Sequence, residues 1–145
     1  MTRSRASAND TDPVEHLRFT IEGVAIPQGS KTVFNGRAVD ANKKLKPWRK
    51  AVTAAASEAL AGRDAMVGPV YVWLVFRLPR PRTVKRTLPH VKPDLDKLVR
   101  AMLDGVTDAK VWADDSQVVY LSAKKLYADD NPYVAVMVQP MGVTS

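Results

Sequence analysis

The run Val70–Phe76 (VYVWLVF) contains no polar residue and is rich in β-branched and aromatic side chains. Such a run reads as a buried strand, so the fold must include a sheet covered by other elements. It is far short of the roughly 20 residues that a membrane-spanning helix needs. The rest of the chain supplies the cover. Leu17, Phe19 and Ile21 alternate with Arg18, Thr20 and Glu22, the period of a strand with one buried face, and the pattern stops at Gly23. Trp48, Val52, Ala55, Ala56, Ala59 and Leu60 recur at helical spacing, which predicts a helix over Pro47–Ala61 with Gly62 beyond its end. Leu95, Leu98, Met102 and Val106 predict a second amphipathic helix that opens at Asp94 and stops near Gly105. Two further strands follow, Gln117–Leu126 and Tyr133–Gln139, joined by a turn at Ala128–Asn131.

The order strand, helix, strand, helix, strand, strand predicts a single α+β domain, a four-stranded sheet with two helices on one face. Residues 1–15 are polar and without apolar period, and read as a disordered leader to a domain over 16–145. Two long basic loops interrupt the elements. Residues 25–46 carry Lys31, Arg37, Lys43, Lys44 and Lys46, and residues 77–92 combine basic residues and prolines without a single acid. Prolines exclude the second loop from a helix or an inner strand, and it reads as a mobile basic arm.

With 22 basic against 15 acidic residues, the 145-residue chain carries a formal charge of +7. So basic a small domain favours a polyanionic partner, nucleic acid first. The absence of cysteine removes disulfides, thiolate nucleophiles and Cys-based metal sites, and two isolated histidines cannot build a His-rich one. Any metal must therefore be held by oxygen.

Asp94, Asp96 and Asp115 are the candidates. Singly, each has a structural use: Asp94 as a helix N-cap, Asp96 in the first turn, Asp115 in a turn before a strand. Together they suggest a site, because the chain after the second helix has slack enough to return Asp115 to the start of that helix. Gathered carboxylates repel, and a hard cation relieves them; Mg²⁺ is content with a few carboxylates, waters and phosphate oxygens. Among Lys31, Lys92, Lys97 and Arg100 such a site suits phosphodiester hydrolysis, the ion activating water and cations offsetting transition-state charge. Gly29–Ser30–Lys31 lacks the first glycine of a nucleotide-binding P-loop and is not followed directly by a helix, so no nucleotide cofactor is expected. Trp48 reads as core, Trp112 is balanced between core and base stacking, and His90 reads as solvated.

The chain resembles the RusA-type Holliday junction resolvases. The resemblance rests on Ile26-Pro27-Gln28-Gly29-Ser30-Lys31, Trp48, Lys92-Pro93-Asp94-Leu95-Asp96-Lys97-Leu98, Ala101 to Asp104, and Asp114-Asp115-Ser116-Gln117-Val118, and spans about residues 17–138. It implies a homodimeric, Mg²⁺-dependent endodeoxyribonuclease of phage or prophage type, serving DNA recombination and repair in the bacterial cytoplasm by paired nicks in four-way DNA. Asp94, Asp96 and Asp115 match the family's metal-site aspartates. The family often has Asn at Lys97 and Lys at Arg100. Arg100 lies four residues after Asp96 on the helix, so it is assigned to pair with Asp96 and to transition-state charge, and Lys97 to a neighbouring phosphate. Arg80, Arg82, Lys85, Arg86, Lys92 and Lys31 are assigned to DNA binding. Two other classes stay open at this point: a branched-DNA-binding protein without catalysis, and a Mg²⁺-dependent nucleotide phosphohydrolase.

Overall fold

A computed structural model describes residues 16–29, 31–34, 37–40 and 43–142, with the side chains of 31–34 and 37–40 outside the description. The leader at 1–15 and the side chain of Lys31 therefore lie outside the described residues. In chain order the elements are β1 (Leu17–Glu22), β2 (Lys31–Phe34), β3 (Arg37–Asp40), α1 (Leu45–Leu60), β4 (Val70–Leu78), α2 (Leu95–Asp108), a 3-10 turn (Asp115–Gln117), β5 (Val118–Tyr127) and β6 (Tyr133–Pro140).

The main sheet has the order β1-β6-β4-β5. β6 is antiparallel to both its neighbours, whereas β5 is parallel to β4. The two-residue period sorts the side chains by face. Leu17, Val138 and Val72 lie side by side across three strands, as do Ile21, Val134 and Phe76, and all six are buried in one core with α1 and α2. The opposite face carries Tyr71, Trp73, Met137 and Tyr120, with Tyr71 and Tyr120 in edge contact at 4.8 Å between ring centroids. The expected α+β architecture is thus observed, and β4 is its central buried strand.

The expectations are refined in four places. Lys31–Phe34 and Arg37–Asp40 pair as the antiparallel strands β2 and β3 inside the first basic loop. α1 begins at Leu45, two residues before the expected Pro47. Proline is tolerated there because N–H groups of a first helical turn have no acceptor within the helix, and the first bond is the Trp48 N–H to the Lys44 carbonyl. α2 runs through Gly105 to Asp108, so Gly105 is not a helix stop. It marks the crossing of α1 over α2: a Cβ there would lie 2.7 Å from Val52 Cγ1, and the Thr53 hydroxyl donates to the Gly105 carbonyl at 2.8 Å. Finally, Trp112 is fully buried with its indole N–H donating to Thr107 Oγ1 at 2.7 Å, which leaves no ring for a base to stack on.

The 79–94 segment is pinned at both ends rather than loose. Arg80 stacks its guanidinium 4.2 Å from the Tyr127 ring centroid and donates to the Arg86 carbonyl, while Arg86 donates to the Tyr127 hydroxyl. At the far end Lys125 Nζ donates to the carbonyls of Val91 and Pro93, both at 2.8 Å.

Gly105→Ala tests the crossing. In an exposed helix interior alanine gains about 1 kcal/mol over glycine, but here the added methyl overpacks Val52, which costs about 1–3 kcal/mol. Urea unfolding is expected to show a net loss of stability for Gly105→Ala. The double variant Gly105→Ala/Val52→Ala is expected to lose less than the sum of its single changes.

Candidate active site

The parallel pairing of β4 and β5 decides where the acids lie. A strand followed by a parallel neighbour needs a return crossover, which here contains α2. α2 therefore starts near the C-terminal end of β4, where Lys125 holds Pro93, and the chain comes back to the start of β4 before β5 begins. There the Trp112 and Met66 backbones form a bridge, and Gln117 Nε2 donates to the carbonyls of Met66 and Gly68 at 3.0 and 2.9 Å. Gln117 Oε1 in turn accepts from the N–H groups of Ala113 and Asp114, and Asp114 Oδ2 accepts from the Ser116 N–H, closing a capping box. Hydrogen bonds from the Ser116 side chain and from its N–H hold the Asp114 carboxyl below the usual carboxylate range. Asp114 is thus consumed in shaping the turn, while the Asp115 carbonyl accepts from the Val118 N–H and its side chain makes no hydrogen bond or ion pair among the described residues.

Asp94 occupies the N-cap position of α2 with an extended backbone, but its side chain makes no cap bond. It faces two lysines instead, Lys92 Nζ at 3.6 Å and Lys97 Nζ at 3.9 Å. Asp96 is exposed on the first turn and has no ion pair with Arg100. The expected Asp96–Arg100 pair is therefore not formed, and Lys97 points to the acids instead of away from them. Arg100 acts on the next acid along the same helix face, Asp104, lowering its proton affinity. Asp104 is the more sheltered of the two acids flanking Arg100, and a charge is felt more strongly where water is partly excluded.

The negative charge of Asp115 acts on Asp104, in the second half of α2. The slack between α2 and β5 is taken up by the buried Val111 and Trp112 and by the capping box. Among the described residues no group of three or more acids or imidazoles comes together as a preformed metal cage. What the face does present is Asp96, Arg100 and Asp104 at helical i, i+4, i+8 spacing with Asp115 adjoining. All its donors are carboxylate oxygens, the chemistry Mg²⁺ takes, and that ion needs only one or two protein carboxylates when substrate phosphates complete its shell.

The cations divide into two kinds. Arg80 and Arg86 are committed to Tyr127 and to each other, and Lys92 and Lys97 to Asp94. Arg82 and Lys85 are exposed on the same segment and make no intramolecular contact among the described residues.

The profile of the family described as "Endodeoxyribonuclease RusA" matches residues 22–139. This chain belongs to the RusA endodeoxyribonuclease family. It is similar to the "Uncharacterized protein YqaN" of Bacillus subtilis (strain 168), at 26% identity over 137 residues that cover 85% of this chain and 95% of that protein. A shorter stretch of 40 residues is 42% identical to the "Crossover junction endodeoxyribonuclease rusA" of Lactococcus phage r1t and covers 28% of this chain and 30% of the phage protein. Among the described residues of this RusA-family chain, no helix is long and apolar enough to cross a membrane.

Sequence reasoning passed over Asp104 as a site residue because an aspartate inside an amphipathic helix looks like an ordinary polar position. Its distinction is spacing: it continues the Asp96–Arg100 stripe by one more i+4 step. Burial raises its pKa, a push opposed by Arg49 and Arg100 and reinforced by Asp115 and Asp108. Sequence reading also missed Lys125, whose two bonds to the chain just before Asp94 set the approach to α2.

A carboxyl whose folded pKa is raised adds stability only while protonated, and the contribution is lost as pH rises through the folded value. Asp104→Asn is therefore expected to raise the thermal midpoint at pH 7, by a few degrees at most. The gain should shrink as pH falls through the raised folded value and be gone below the ordinary carboxylate value of about 4. Thermal unfolding across pH 3–8, read against the wild type, checks the direction.

Proposed function

We propose that this RusA-family endodeoxyribonuclease resolves four-way (Holliday) junctions, hydrolysing phosphodiesters with Mg²⁺ and placing two symmetric nicks as a homodimer. The observation that carries the reading is the acidic face on so basic a chain: among the described residues the Asp96 and Asp115 carboxylates have no hydrogen-bond or ion-pair partner, although basic residues outnumber acids by 22 to 15. Carboxylates facing a polyanion weaken binding, so for a DNA-binding surface they are a liability unless a cation joins them to the phosphate. A purely binding protein has no use for them. A nucleotide hydrolase has no use for the uncommitted Arg82 and Lys85 on their pinned segment.

In this reading Asp96 and Asp115 hold the ion, and Asp104 and Asp94 flank them. When bound, Mg²⁺ supplies a polarised phosphoryl oxygen and a more acidic water. Arg100, lying between Asp96 and Asp104, sets a permanent positive charge beside the reacting phosphate. Lys97 and Lys92 offset the charge of Asp94, which lessens the repulsion of the incoming strand at the first turn of α2. Arg82 and Lys85 grip the backbone away from the cut. A single chain offers one such face, and matched nicks on a two-fold substrate call for two, hence the dimer.

Asp96→Asn and Asp115→Asn are expected to abolish nicking while junction affinity stays equal or rises, because each removes a ligand and a charge that repels phosphate. A gel assay with a synthetic junction, a linear duplex and free nucleotides, with Mg²⁺ or EDTA, measures this and separates the three classes of activity. Loss of binding together with loss of cutting in a folded variant would return these residues to a structural role.

The cation assignment has its own test. Arg100→Ala is expected to lower the single-turnover rate at least about tenfold, Arg100→Lys to retain most of it, and Lys97→Ala to act mainly on affinity. A larger rate loss for Lys97→Ala at saturating protein would reverse the two roles. Light scattering of the free protein and its junction complex tests the dimer, and a monomer in both would refute it.

A further inference from the structure

The two-layer fold leaves one feature of β4 unexplained. A strand covered on one face needs apolar residues only at alternate positions, yet Val70–Phe76 is apolar throughout, the pattern of a strand buried on both faces. Val70, Val72, Leu74 and Phe76 lie in the core with α1 and α2. On the other side Tyr71 is half-buried and Trp73 is 37% exposed, and among the described residues no helix lies over them.

That open face has the anatomy of an interface. Tyr71, Trp73, Tyr120, Ala135 and Met137 form its apolar centre. Charges stand at the margins, Arg18 and Glu22 on the edge strand β1 and Lys124 on the edge strand β5, all exposed and without an ion pair among the described residues. Specific interfaces likewise gather aromatic residues and methionine at the centre and polar groups at the rim. Beside Trp73 lies an open hollow of about 710 Å³, lined by Arg18, Thr20, Tyr71, Ala135 and Met137. Size also fits. The four strands, about 4.8 Å apart, and the eight residues of β6, about 3.3 Å each, give about 500 Å² of sheet per copy. Two such faces cover about 1,000 Å², the size at which a specific interface begins.

We propose that a second copy of this chain covers the face, the two sheets stacking about a two-fold axis that runs along the strands between β6 and β4. This rests on the reading of the chain as a dimeric nuclease and deepens it by naming the surface that joins the copies. Across the sheet Arg18, Met137, Trp73 and Ser122 share one row, and Thr20, Ala135, Val75 and Lys124 the next but one. With the axis along the strands, β6 lies over β4 of the second copy and β1 over its β5. Trp73 then meets the hollow around Met137 of the second copy, and Lys124 stands opposite Thr20 and beside Glu22 of the second copy, so unlike charges meet. A two-fold across the strands at the same centre would set Lys124 against Lys124. The axis along the strands also brings both β5 starts, each preceded by Asp115, to the same end of the dimer, as paired nicks in one junction require.

The test uses the full-length chain in sedimentation velocity over a dilution series, with tryptophan emission as a second readout. Wild type is expected to sediment as a dimer and its emission to move to longer wavelength as dilution separates the copies. Of the three tryptophans only Trp73 can report this, because Trp48 and Trp112 are buried within each chain at 6% and 0% exposure. Trp73→Glu is expected to raise the dimer dissociation constant about thirtyfold or more, while Trp73→Tyr keeps most of the affinity. Glu22→Lys and Lys124→Glu alter exposed side chains, and each alone is expected to weaken the dimer about tenfold or more by setting like charges together. Mixing those two variants is expected to restore it, because both cross-pairs are then Lys against Glu. A wild-type dimer that Trp73→Glu and both charge reversals leave intact overturns the assignment of this face alone, and is the result if residues 1–15 or another protein cover it. A wild type that is a monomer both free and on a junction overturns the dimer reading beneath it.

Discussion

The parallel pairing of β4 with β5 is the constraint on which the rest of the structure depends. An antiparallel neighbour can be reached by a tight turn, but a parallel one requires the chain to travel the length of the sheet and back. That journey occupies residues 79–117 and is where the chemistry is placed: the basic segment goes out, α2 comes back, and the capping box delivers Asp115 at the start of β5. Because α2 runs against the strand direction, its first turn with Asp94 and Asp96 lies at one end of the sheet and its second half at the other. Asp115 acts on Asp104, in that second half.

The α1–α2 crossing makes that arrangement rigid. Gly105 lets Val52 approach the α2 backbone, Thr53 bonds the carbonyl that the crossing leaves accessible, and Arg49 closes the contact on Asp108. Positions 52 and 53 of α1 thus set the crossing, and position 49 joins the two helices at its exposed edge. Packing and site share one helix pair, so a change that widens the crossing also moves the acidic stripe relative to the cations of α1.

A net positive charge says little about which cations meet a ligand. Arg80 and Arg86 look equivalent to Arg82 and Lys85 in the chain, yet two of the four hold the segment against Tyr127 and the side chains of the other two have no hydrogen-bond or ion-pair partner among the described residues. The division follows from a single aromatic residue at the end of β5, whose ring face and hydroxyl capture one guanidinium each.

Periodicity determined most of the fold in the sequence itself. The apolar run at Val70–Phe76, the alternation in β1 and β6 and the helical stripe of α2 each bury one face by local geometry, which any tertiary partner must then cover. The acids at 94, 96 and 115 and their oxygen-only chemistry were equally legible, because composition excluded every other donor. What the sequence could not carry were contacts between distant segments. Gly105 reads as a helix stop until Val52 is seen against it, Trp112 reads as a candidate stacking ring until Thr107 takes its N–H, and the slack before β5 reads as reach until Gln117 is tied to Met66 and Gly68. The side of the sheet from which β5 sets out was settled by strand direction, a property of pairing between residues some fifty positions apart, and only the tertiary structure decided it.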